Sequence, residues 1–153
     1  MDYWFDVEDF ESLLIQARSP GIKRTEAIEL LKKAVQQYTG DFLADIEVGD
    51  WSISQREELR RLYLDNGLTL VHMLFDDALY GDAAEICRTL INRDNYLEAA
   101  HYALIRCYAR LGERSQALQQ YHTLVGILQD DLELPPSPEL TVLYDHLWQG
   151  EPI

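Results

Sequence analysis

Basic residues are scarce in this chain: 13 Lys and Arg stand against 27 Asp and Glu, giving a formal net charge of −14 over 153 residues. Nucleic-acid affinity rests on cations that neutralise phosphates, so a chain this acidic is repelled from DNA and RNA, and direct nucleic-acid binding is not expected. Cysteine is nearly absent. Cys87 and Cys107 make no secreted disulfide framework, and each sits among apolar residues of a helical pattern, where a thiol behaves as a small hydrophobe. No apolar run approaches the length of a membrane span, and the opening MDYWFDVEDFE is acidic where a leader peptide would be basic. A cytoplasmic protein with no membrane partner is expected. Convincing period-two alternation is missing as well, so nothing supports a sheet.

What is present is globular composition, 47% hydrophobic and 26% charged, in a length suited to one domain over residues 1–153. Apolar residues recur at helical spacing almost throughout. Val7, Phe10, Leu14 and Ala17 mark a first helix, with Asp6 placed as its N-cap. The Ser-Pro-Gly at 19–21 breaks it, and Ala27, Leu31, Ala34 and Tyr38 mark a second that Gly40 is placed to stop. Residues 41–51 form a connector anchored by Phe42, Leu43, Ile46 and Trp51. Ser54 and Glu57 have the spacing of a capping box for a long helix whose inward face runs Leu59, Tyr63, Gly67, Leu70, Leu74 and Ala78. Asn66-Gly67 resembles a hairpin turn, yet its flanks keep a 3.6-residue phase, so Gly67 is expected inside the helix. Asp82 with Glu85, and Asn95 with Glu98, suggest caps for two further helices, the second stopped by Gly112. A sixth helix carries Ala117, Tyr121, Leu124 and Leu128; Ser137 and Pro138 then open a short terminal helix through Leu140, Leu143 and Leu147.

Ala83, Cys87 and Leu90 recur as Ala117, Tyr121 and Leu124, each 34 residues later. That is the tetratricopeptide period. A small residue lets the second helix of a hairpin approach the first, and the large residue four positions on fills the space toward the next hairpin. Gly81 precedes Ala83 by two residues whereas Gly112 precedes Ala117 by five, so the first unit is expected to have the shorter turn. Ala27, Leu31 and Ala34 suggest a third, diverged hairpin. The expected fold is an all-α, tetratricopeptide-like stack of antiparallel helical hairpins with a short C-terminal helix.

The stretches FDVEDFESLLIQAR (5–18), YTGDFLADIEVGDWSISQREEL (38–59), the run from Leu79 to Leu128 and DLELPPSPEL (131–140) together resemble the bacterial transcriptional activator domain, the helical module of SARP-type regulators. Glu133 stands where that family usually has glycine, and Asn95 where proline is common. The winged-helix DNA-binding module that the family places upstream is absent from this chain, which is therefore expected to be an excised or a free-standing domain. The resemblance implies transcription activation through protein contacts, by self-association (a possible homodimer) or by contact with the transcription apparatus. A general tetratricopeptide adaptor unrelated to transcription is the alternative.

Chemistry offers little else. Glu98-x-x-His101 matches half of a carboxylate-bridged di-iron site, but no second copy accompanies His72, His122 or His146, so no metal or cofactor is expected. No zinc-protease, phosphate-loop, dinucleotide or nucleophile-elbow motif occurs, and no catalysis is expected. Arg106 and Arg110 share a helix face, and Arg114 lies just past the Gly112 turn. By analogy with tetratricopeptide hairpins, Tyr102 and Arg106 face the groove where such repeats hold peptides. Tyr102, Arg106 and Arg110 are the candidate partner-binding residues; the competing reading is a solvated basic face paired with the abundant local acids.

Overall fold

The computed structural model describes residues 3–39 and 51–150, and every regular element within them is a helix. These are α1 (Tyr3–Ala17), α2 (Arg24–Thr39), α3 (Ile53–Asp76), α4 (Tyr80–Arg93), α5 (Glu98–Arg110), α6 (Arg114–Asp130) and α7 (Pro138–Gln149). Gly40, Phe42, Leu43 and Ile46 lie outside the described residues. No helix among the described residues is long and apolar enough to cross a membrane. The chain divides inside α3 into two units, Met1–Leu70 and Val71–Ile153.

In the first unit α1 packs on α2, burying Val7, Phe10 and Leu14 with Ala27, Leu31 and Ala34. Tyr38 joins them, its ring 5.8 Å from Phe10 and stacked 4.2 Å from Tyr63 of α3. α1 already runs through Asp6, which is a helical residue and not the N-cap. The capping box of α3 lies two residues upstream of the expected pair: the Ser52 N–H donates to Gln55 Oε1 at 3.0 Å, and the Gln55 N–H donates to Ser52 Oγ at 3.1 Å. Both Ser-x-x-acid/amide patterns suit a cap, and the chain enters the helix at the earlier one. Asn66 and Gly67 lie inside α3, both buried. The Asn66 amide donates to the Leu62 carbonyl at 2.8 Å and accepts from Arg18 Nη2 at 2.8 Å, so its side chain serves the helix instead of a turn.

In the second unit α4 packs on α5, α5 on α6 and α6 on α7. Ala83, Cys87 and Leu90 of α4 are fully buried, as are Ala117 and Leu124 of α6, while Tyr121 is 8% exposed. Small-then-large spacing therefore produces close helix packing in both repeats, as the 34-residue period requires. Ile105, Ala117, Tyr121 and Leu124 form one apolar cluster with Leu140, Leu143 and Leu147, which seats α7. Ser137 caps α7 by accepting the Leu140 N–H at 3.3 Å, with Pro138 at the first helical position.

The expected caps at Asp82 and Asn95 are not used. The N-cap positions belong to Leu79 and Leu97, neither of which makes a side-chain cap bond, and Asp82 sits in the first turn of α4. Asp82 still favours that helix end through the dipole.

The turn between α3 and α4 is no shorter than its repeat. Gly112 adopts a left-handed φ of 77° after α5, and Ala78, 34 residues earlier, adopts a φ of 61° after α3. Hydrogen bonds match too. Glu113 N–H reaches the Tyr108 carbonyl at 2.8 Å and Gly112 N–H reaches Ala109 at 3.1 Å; Leu79 N–H reaches Leu74 at 2.9 Å and Ala78 N–H reaches Phe75 at 3.0 Å. Both are Schellman turns, so Ala78, not Gly81, is the counterpart of Gly112. Glu133 likewise takes a left-handed φ of 54°.

Candidate protein-interaction site

Helix α5 presents Glu98, Tyr102 and Arg106 at four-residue intervals, which puts them on one face. They line a pocket of about 450 Å³ in the second unit. Ala99 and Ala103, also on α5, are small enough to open it, and Val71, His72 and Phe75 from the last turns of α3 supply another wall. Ser137 and Glu139 at the start of α7 close one end.

The half-buried Arg106 guanidinium lies over the Phe75 ring, 4.3 Å from its centroid. This cation–π contact orients the group at a worth of roughly 0.5–1 kcal/mol. Among the described residues no carboxylate pairs with Arg106. Glu98, two helical turns away, accepts the Ser137 hydroxyl at 3.4 Å, while Ser137 Oγ is itself fixed by the Leu140 N–H.

The three arginines do not act together. Arg110 is exposed and lies outside the pocket; it is 5.5 Å from the Phe75 centroid and 5.8 Å from that of Tyr80, and it donates to Tyr80 Oη at 3.4 Å. Arg114 turns toward α7, where it donates to the Trp148 carbonyl and lies 5.8 Å from the Trp148 ring. Of the expected trio, Tyr102 and Arg106 share the pocket and Arg110 flanks it through the shared Phe75. Phe75 was not singled out from sequence, and His72 was weighed only as a metal ligand, not as a pocket residue. His72, however, is 34 residues before Arg106, so extending the repeat back into α3 would have found it.

Glu98 and His101 part company. His101 is fully buried, with Nε2 2.9 Å from the Asn95 carbonyl and Nδ1 2.8 Å from Gln120 Nε2. A carbonyl only accepts, so Nε2 carries the proton and Nδ1 takes the Gln120 amide hydrogen. Both ring nitrogens are thereby engaged. Burial holds the ring's pKa below its usual 6.5. Among the described residues no group of three or more His, Cys, Asp and Glu comes together as a metal site would require. Cys87 and Cys107 are free and buried; the hydrogen bond to Cys107, with burial, pushes the Cys87 thiol well above its usual range.

The family model of the bacterial transcriptional activator domain matches residues 5–148. Among curated proteins, the chain is similar to the Regulatory protein AfsR of Streptomyces coelicolor, 27% identical over 145 residues that cover 95% of this chain and 14% of that protein. The chain thus spans a small part of that relative's length. A family match running from Phe5 nearly to the end of α7 takes in both units, and the chain belongs to the bacterial transcriptional activator domain family.

Proposed function

We propose that this domain is a non-catalytic regulatory module that serves a bacterial transcriptional activator through protein contact, either self-association or contact with the transcription apparatus. Its contact site is the pocket of Tyr102 and Arg106, flanked by Arg110, and the group received there is a carboxylate. The observation that carries this reading is Arg106: in a chain with 27 acidic residues it is held against Phe75 and left without a carboxylate partner among the described residues. A guanidinium fork meets carboxylates in bidentate fashion, and a neighbouring tyrosine adds contact area at low entropic cost. Family membership favours transcription over the general adaptor.

The test compares Arg106→Glu with a control reversal at Lys32, whose ammonium is 3.8 Å from Glu29 on α2. Both variants should fold, with Arg106→Glu losing about 1 kcal/mol as its ring contact goes. Only Arg106→Glu should lose self-association in light scattering, or pull-down of purified RNA polymerase. Equal association by the two variants would overturn the reading.

A further inference from the structure

Resting on that reading of the pocket, we infer that its occupant is a short extended peptide segment bearing both charges: an acidic group for Arg106 and, at the opposite end, a basic group for Glu98 and Glu139. Glu98 and Arg106 are eight residues apart on α5, which is about 12 Å along the axis. Glu139, exposed on the first turn of α7, lines the same end as Glu98. Neither carboxylate is in an ion pair among the described residues, and Glu98 is positioned by Ser137 through one oxygen. The pocket is therefore bipolar. Its two charged ends are separated by the apolar surface of Val71, Ala99 and Ala103 with the Tyr102 ring.

This spacing selects a pattern. An extended chain advances about 3.3 Å per residue, so four residues span about 13 Å, and positions i, i+2 and i+4 share one face. A segment of the form basic–x–apolar–x–acidic, read in either chain direction, places its apolar side chain on Tyr102 and its charges on their opposites. A segment acidic at both ends would press a carboxylate against Glu98 and Glu139. The pocket then discriminates by repulsion as well as attraction.

The test uses three acetylated, amidated peptides, Lys-Ser-Leu-Ser-Glu, Glu-Ser-Leu-Ser-Glu and Lys-Ser-Leu-Ser-Lys, titrated at millimolar concentration into the isotopically labelled full chain and followed by amide chemical shifts. The wild type should prefer the mixed peptide by about fivefold, as two exposed ion pairs allow, with shifts centred on Ala99, Tyr102 and Arg106. Arg106→Glu should transfer the preference to the dilysine peptide, and Glu139→Lys, which leaves Glu98 in place, should abolish the preference for the mixed peptide over the diglutamate one. If the diglutamate peptide binds the wild type as tightly as the mixed one and loses affinity in Arg106→Glu, the bipolar inference falls while the carboxylate reading of Arg106 stands. If no peptide binds at this face, or preferences ignore both reversals, the bipolar inference and the reading beneath it fall together.

Discussion

His101 shows how a residue with catalytic or metal-binding credentials can be occupied by structure. Its ring is satisfied only when neutral, because the Asn95 carbonyl demands a proton on Nε2 and the Gln120 amide demands a lone pair on Nδ1. The consequence is a pH dependence whose sign follows from the depressed pKa. Above the unfolded value of about 6.5 both folded and unfolded chains hold the ring neutral, and its contribution to stability is complete. As pH falls below that value, toward the lower folded value, the unfolded chain takes a proton that the folded chain refuses. Stability therefore drops, by up to about 1.4 kcal/mol per pH unit. Denaturant melts of wild type and His101→Gln between pH 7.5 and 5 should show stability falling more steeply with acidification in the wild type than in the variant, although the variant is less stable throughout. Parallel slopes would contradict this account.

At the scale of elements, the two Schellman turns carry the repeat. Gly112 adopts its left-handed φ without strain, whereas Ala78 holds the same conformation against the clash of its Cβ with its own backbone. Ala78→Gly should stabilise the protein by about 0.5–1 kcal/mol, and Gly112→Ala should destabilise it by about 1–2 kcal/mol. A Cβ on Gly112 would meet no atom within 4 Å, so that loss would be backbone strain alone. Thermal melts of the two variants that moved in the same direction would refute the equivalence of the turns. Legibility in sequence followed the same physics. Ala83 and Ala117 could be read because close packing demands small residues at a fixed period. Ala78 could not, because alanine carries no local signal for a left-handed turn. The caps misled because Ser54-x-x-Glu57 and Ser52-x-x-Gln55 are chemically equivalent offers, and the point where the chain enters α3 chooses between them. Half the pocket was visible, since Tyr102 and Arg106 share one helix face. Phe75 and Glu139 arrive from α3 and α7, and no periodicity within α5 announces them.

On the scale of the whole molecule, a net charge of −14 sets what the domain can approach. Duplex DNA should not bind the isolated chain appreciably at physiological salt, because there is too little cationic surface to release counterions. Submicromolar, salt-dependent affinity in a fluorescence anisotropy assay would contradict that. Against that acidity, Arg106, which lies over Phe75 with no carboxylate partner among the described residues, is the proposed point that receives an incoming carboxylate. Hydroxyl-radical footprinting of the chain with and without purified RNA polymerase, and across a concentration range for self-association, tests that claim most directly. Phe75 and Tyr102 should become protected in the complex, while Tyr96 and Trp148, 53% and 57% exposed and outside the pocket, should oxidise as before. Protection of Tyr96 or Trp148 with Phe75 and Tyr102 unchanged would place the contact elsewhere and contradict the account.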